Sequence, residues 1–159
     1  MVGHGGGDHR GGSPVAVFID TGVLMYAAGA AHPLRAPCIR VLELVGADRL
    51  EAVTSAEVVQ EIFHRFTGTP RAAAGIELAE AALDLFSPVL GVTNDIVRRM
   101  PDLARRYPSH TARDLLHVAT CLEHGMATIV SPDTDFDSIE ELRRISPADE
   151  PTLNRHVRP

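Results

Sequence analysis

Lysine is absent. All fifteen basic residues of the 159-residue chain are arginine, which excludes Schiff-base chemistry, lysine-based P-loop phosphate binding and any lysine general base. Tryptophan is absent too, and aromatics make up 4% of the residues, too few for a platform that stacks the bases of a single strand. Positive charge is in deficit. The formal net charge is −6 and the pI is about 5.7, the wrong sign for a protein that coats nucleic acid through bulk charge. No apolar run reaches the roughly 18 residues that a membrane-spanning helix needs. The first fourteen residues are glycine-rich rather than apolar, unlike a signal peptide. The only cysteines, Cys38 and Cys121, lie far apart in apolar helical patterns without Cys-x-x-Cys spacing. They read as reduced core residues of a cytoplasmic protein rather than as a disulfide or zinc pair.

What is present suits one compact domain. The mass is 17.1 kDa, with 45% hydrophobic and 23% charged residues, close to ordinary globular usage. Residues 1–14 hold six of the thirteen glycines and read as a disordered tail, with His4 and His9 as solvated side chains. Residues 148–159 are polar and proline-bearing and read as a second tail. Between them, 15–147 forms a single domain without internal repeats. VAVFI (15–19) is a continuous β-prone run, as expected of a strand buried on both faces. LEAVT (50–54), PVLGV (88–92), ATIVS (127–131) and LRRIS (142–146) are further strands. Helical patterns run over 22–28, from Pro33, from Thr54 or Ser55 to about Phe66, over 71–86, from a Thr93 cap to about Tyr107, and from a Thr111 cap to Gly125. Strands alternating with helices predict an α/β domain with a central, mostly parallel sheet of about five strands flanked by helices.

In such sheets, sites form beyond the carboxyl ends of the strands. Asp20 follows the first strand directly, and Asp133 lies two residues after ATIVS, with Asp135 and Asp137 close behind. Glu57 and Glu61 share a helix face one turn apart. T-S-A-E (54–57) has the form of a capping box, which explains Glu57 structurally. Glu61, in the second turn among Val58, Val59 and Ile62, has no such explanation and is the better functional candidate. Asp114 resembles a first-turn cap in T-A-R-D, yet its face continues into the apolar stripe of His117, Val118 and Cys121, where an acid requires a partner. Carboxylates brought together repel one another and call for cations. Hard oxygen ligands suit Mg²⁺ or Mn²⁺.

FIDTGVLMY, SAEVVQEIFHR, TARDLLHVATCLEHG and IVSPDTDFDSI followed by LRRISP resemble, in order and spacing, the PIN (Rossmann-like) domain, and within it the VapC-type toxins of toxin–antitoxin pairs. The likeness covers about 15–147. It implies a metal-dependent ribonuclease that uses Mg²⁺ or Mn²⁺ to activate water against RNA phosphodiester bonds. It also implies a homodimer and inhibition by a cognate antitoxin encoded nearby. Carried over by position, the acidic set is Asp20, Glu61, Asp114 and Asp133, with Asp135 as an auxiliary metal ligand. Thr21 matches the usual hydroxyl neighbour of the first acid, and Ser131 replaces a threonine. Arg65, one turn beyond Glu61, and Arg113, beside Asp114, are candidate phosphate contacts. Arg35, Arg40, Arg98, Arg99, Arg105 and Arg106 are further candidates.

Other classes fit less well. A non-toxin PIN nuclease of RNA processing shares every one of these features, while a non-catalytic PIN scaffold for RNA or protein is opposed by the intact acids. Glu61 with His64, and Asp114 with His117, have the i, i+3 spacing of di-iron carboxylate bundles, but the short β-prone runs oppose a helical bundle. His64 and His117 read instead as buried helix residues making one hydrogen bond. A haloacid-type phosphatase requires a second aspartate where Gly22 stands.

Overall fold

The computed structural model describes residues 15–159; the expected N-terminal tail, 1–14, lies outside them. Strands β1 (Val17–Ile19), β2 (Ala52–Val53), β3 (Thr128–Val130) and β4 (Arg143–Ile145) form one sheet in the order β2-β1-β3-β4. All neighbours are parallel, with Phe18 opposite both Val53 and Ile129, and Val130 opposite Ile145. The apolar run predicted as a doubly covered strand is one over its last three residues: Val17, Phe18 and Ile19 are fully buried, as a central strand between helix layers must be, while Val15 is exposed.

Helices α1 (Thr21–Ala28), α2 (Arg35–Gly46), α3 (Ala56–Phe66), α4 (Ala72–Leu85), α5 (Asn94–Arg106) and α6 (Ala112–Glu123) supply the crossovers. They pack as consecutive pairs, α1 on α2, α3 on α4 and α5 on α6. Ser55, Thr93 and Thr111 cap α3, α5 and α6 through their hydroxyls, and Gly125 takes the positive φ (66°) that ends α6. Helix α5 runs through Pro101.

Three expectations change. PVLGV does not become a fifth ladder strand: Pro88 has no N–H, and Leu90 alone bonds, donating to the Thr54 carbonyl (2.9 Å) and accepting from Ala56 N (2.7 Å). The T-S-A-E box is not formed. Ser55 is the cap, while the buried Thr54 hydroxyl donates to the Ile19 carbonyl (2.8 Å) and ties β1 to the start of α3. The stretch 148–159, expected to be a tail, folds onto the domain through helix α7 (Glu150–Asn154). Leu153 is fully buried, Val157 bridges antiparallel to Leu50, and Arg158 N donates to the Arg49 carbonyl (2.7 Å). Two apolar residues four apart were enough to anchor it and too few to show as a period. The parallel sheet also removes the di-iron bundle.

Candidate active site: a carboxylate cleft at the sheet's C-terminal edge

The backbone brings the acids together from distant points in the chain. Asp20 leaves the end of β1 and caps α1, its Oδ1 accepting from Thr21 N (2.8 Å). Asp133 leaves the end of β3 and caps a 3₁₀ turn over Thr134–Ser138. Glu61 comes from the second turn of α3, and Asp114 from the first turn of α6. Asp114 also completes a capping box with Thr111 (3.2 and 3.3 Å), so its capping and its place in the cleft coexist. Asp20, Glu61, Asp114 and Asp133 all line one cleft of about 1000 Å³, together with Thr21, Arg65 and Arg113. Oxygens of Asp114, Asp133 and Asp135 lie within 4.8 Å of one another, as do ligand atoms of Asp20, Glu61 and His117. Glu57 does not line the cleft.

Gly22 shows how tightly the loops meet. A Cβ there would stand 2.6 Å from Pro132 Cγ, so any side chain would push the Asp20 and Asp133 loops apart. The position that a haloacid-type phosphatase fills with aspartate therefore has no room for one.

Hydrogen bonds order the buried half of the site. The Ser131 hydroxyl donates to Asp20 Oδ2 (2.6 Å) and accepts from Asp133 N (3.0 Å), joining two of the acids through one side chain. Glu61 Oε2 accepts from the Thr21 hydroxyl and from His117 Nε2 (2.9 Å), and His117 Nε2 is also 3.6 Å from Asp20 Oδ1. Arg113 Nη1 stands 3.7 Å from Glu61 Oε1. Burial pushes the Asp20 carboxyl above its ordinary range, with Glu61 adding to the rise, against the opposing pull of His117 and Ser131. Burial opposes charge on Glu61 too, but the His117 and Thr21 hydrogen bonds and Arg113 outweigh it and hold the carboxyl below its ordinary range. For His117 burial works against the imidazolium, yet Glu61, Asp20 and Glu57 together raise its pKa.

The residues that sequence reasoning undervalued are His117 and Arg71. His117 is a buried helix residue with a hydrogen bond, as expected, but that bond goes to Glu61 and places the ring inside the site. Its spacing from Asp114 was the available signal. His64, expected to be buried likewise, is exposed on α3. Arg71 lines the cleft with its guanidinium 5.3 Å over the Phe66 ring. The other arginine candidates do not line it. Arg40 pairs with Glu150 (3.0 Å), Arg99 with Glu123 (2.6 Å) and Arg106 with Glu141, while Arg35 donates to the Gly29 carbonyl (3.1 Å). Arg98 and Arg105 are exposed on α5.

A parallel sheet flanked by helices, with four carboxylates gathered in a cleft at its C-terminal edge, defines the class: an α/β fold whose strand ends present hard oxygen donors. The chain belongs to the PIN domain family, whose model matches residues 17–142. Ribonuclease VapC13 of Mycobacterium tuberculosis is 35% identical over 132 residues, covering 82% of this chain and 99% of the relative. Ribonuclease VapC23 of the same species is 37% identical over 119 residues, covering 74% and 92%. Among solved structures, the DNA-bound VapBC of Salmonella typhimurium superposes with a TM-score of 0.67 at 12% identity, covering 84% of this chain and 99% of that one. Mycobacterium tuberculosis VapC20, a sarcin–ricin-loop-cleaving toxin, superposes with a TM-score of 0.65 at 18% identity, covering 79% and 95%. Among the described residues, no helix is long and apolar enough to cross a membrane.

Proposed function

We propose that this chain is a Mg²⁺- or Mn²⁺-dependent ribonuclease, the toxin of a toxin–antitoxin pair, acting in the cytoplasm. The observation that carries the reading is the convergence of Asp20, Glu61, Asp114 and Asp133 on one open cleft. The named relatives are ribonucleases of the VapC type over nearly their whole length, and they supply the substrate class, RNA.

The donor set fits the cation. Carboxylate oxygens in the two groups, one of which also holds His117, are hard ligands, and an ion beside Asp20 would relieve the repulsion and desolvation that raise it. Asp20 and Glu61 would offer oxygens from one group, and Asp114 and Asp133, with Asp135 as auxiliary, from the other. A divalent ion so held lowers the pKa of water and neutralises charge on the phosphodiester. The chain's own residues do the rest. Ser131 keeps Asp20 and Asp133 in fixed register. Thr21 and His117 hold one Glu61 oxygen. Arg65, Arg71 and Arg113 line the cleft as guanidinium forks for RNA phosphates, which places positive charge locally in an acidic protein. A cognate antitoxin would silence the enzyme by covering this cleft, and a homodimer is the expected assembly.

The test is RNA cleavage by purified, antitoxin-free protein in Mg²⁺ or Mn²⁺, comparing wild type with Asp20→Asn and Asp114→Asn. Cleavage by wild type alone is the expected result; equal behaviour of all three proteins ends the nuclease reading. Growth arrest on expression, relieved by the same substitutions, separates a toxin from a housekeeping PIN nuclease.

A further inference from the structure

His117 lies in the second turn of α6, one turn beyond Asp114, and is 1% exposed. Its ring packs 5.5 Å from that of Phe18, so neither burial nor packing leaves it free to turn. Among the described residues its Nδ1 is buried without a hydrogen-bond partner, while Nε2 faces Glu61 Oε2 at 2.9 Å and Asp20 Oδ1 at 3.6 Å. That asymmetry determines the tautomer. A hydrogen on Nδ1 of the neutral ring would be a buried donor with no acceptor, and Nε2 would then face two carboxylates with a bare lone pair. The neutral ring therefore carries its hydrogen on Nε2, and the imidazolium carries one there as well. In both states Nε2 has no lone pair to offer a cation. The ring sits among the acids as a donor, not as a ligand.

Glu61 shows what the donor accomplishes. Its Oε2 accepts from both the Thr21 hydroxyl and His117. Among the described residues its Oε1 makes no hydrogen bond, and Arg113 Nη1 stands 3.7 Å from it, beyond hydrogen-bond range. A glutamate on a helix face has several rotamers, and holding it in one costs conformational entropy that two donors on a single oxygen offset.

Resting on the reading of the cleft as a cation site, we propose that His117 is a positioning residue. Its Nε2–H, with the Thr21 hydroxyl, commits Glu61 Oε2 and leaves Oε1 as the oxygen this glutamate presents to a divalent cation or its water shell. Partners of this kind typically contribute about 10- to 100-fold to metal affinity.

Mn²⁺ binding to the full-length chain, measured by isothermal titration calorimetry, tests this without requiring any RNA cleavage. His117→Ala is expected to weaken Mn²⁺ binding about 10-fold or more, and His117→Gln, whose amide N–H occupies much the same place as Nε2–H, to stay within about 3-fold of wild type. Asp20→Asn serves as the control that removes a ligand. An unchanged or tighter Kd for His117→Ala, at wild-type far-ultraviolet circular dichroism, overturns the proposal. So does a His117→Gln variant that binds as weakly as His117→Ala, because rescue by the restored donor is what a purely packing role would not produce. If His117→Ala does not fold, His117→Gln against His117→Met, alike in size and differing in the donor, decides in the same way. A wild type that binds no Mn²⁺ removes the cation reading, and the proposal with it; a wild type that binds normally beside an indifferent His117→Ala removes the proposal alone.

Discussion

Asp20→Asn separates what the first carboxylate does for the fold from what it does for the cation. An oxygen of Asp20 and one of Glu61 lie within 4.8 Å, and two charges so placed repel by about 3–4 kcal/mol at an effective dielectric near 20. Burial adds to the strain, while a charged His117, 3.6 Å from Asp20, offsets part of it. The balance raises the Asp20 carboxyl, so a neutral isostere relieves the metal-free protein. Its contacts survive the change: the asparagine carbonyl can still accept from Thr21 N, and the Ser131 hydroxyl can turn to accept from the new amide while it accepts from Asp133 N, so only the hydroxyl's own hydrogen loses its acceptor. Metal-free Asp20→Asn is therefore expected to melt at or above the wild-type temperature. The response to cation should reverse that order. A ligand at about 100 times its Kd stabilises the folded state by about 2.7 kcal/mol, which for a chain of this size is a rise of about 5–11 °C. Wild type should show such a rise in a titration with Mn²⁺, and Asp20→Asn should show almost none. Differential scanning calorimetry with and without EDTA provides both readings. A metal-free variant destabilised by more than about 1 kcal/mol would mean that the Asp20 charge holds the site together rather than straining it, and the electrostatic account would be wrong.

Other perturbations test the packing and the titration. A Cβ on Gly75 of α4 would stand 2.3 Å from Phe66 Cβ and 2.6 Å from its Cγ. The helix-propensity gain of Gly75→Ala, about 1 kcal/mol, should thus be outweighed by an overpacking cost of about 1–3 kcal/mol; a higher urea midpoint would contradict the close α3–α4 contact. Leu153→Ala removes a fully buried side chain and should cost about 2–3 kcal/mol, near the low end for such truncations because the site can relax at the surface; an unchanged urea midpoint would mean that α7 contributes nothing to the fold. The pH dependence has a definite sign. The His117 pKa is raised from 6.5, so its contribution to stability is complete below that pH and is lost as pH rises through the folded value. Asp20, raised from 3.8, acts in the same sense at lower pH. Glu61, lowered from 4.5, contributes above that pH and loses its contribution as pH falls through the depressed value. Metal-free protein should melt higher at about pH 5.5 than at about pH 8.5, and the opposite order in thermal melts would refute these assignments.

Most of the architecture was written in local signals. A run such as VAVFI admits few structures other than a doubly buried strand, and Ser55, Thr93 and Thr111 mark helix starts through hydroxyls that satisfy the first free N–H groups. Strand-end position also indicated Asp20 and Asp133 for a physical reason, because parallel strands deliver their carboxyl ends to one edge. What stayed hidden depends on distant partners. Thr54 has the form of a cap, but the Ile19 carbonyl, 35 residues away, claims its hydroxyl. Leu153 and Val157 are too sparse to form a pattern, and their anchoring depends on the domain surface they meet. His117 resembles a core histidine because it is one; only the three-dimensional meeting of α6 with β1 and α3 reveals the two carboxylates beside it.

The two edges of the sheet are closed in different ways, and this bears on how the protein survives at high concentration. An open edge strand offers unpaired N–H and C=O groups to any other strand it meets, which is how sheets of separate molecules fuse. On the β2 side, Leu90 and Val157 each engage the chain flanking that strand. The C-terminal stretch thus acts as a guard, and its loss would bare a template for aggregation before it touched the cleft. On the other side β4 opens with Arg143 and Arg144, and Arg144 is held by Asp137 and by the Ser131 carbonyl. The exposed Arg143 places a charge on that short strand, and the Arg144–Asp137 pair covers its flank. Protection against strand-to-strand fusion thus sits at the margins of the sheet, away from the carboxylate cleft.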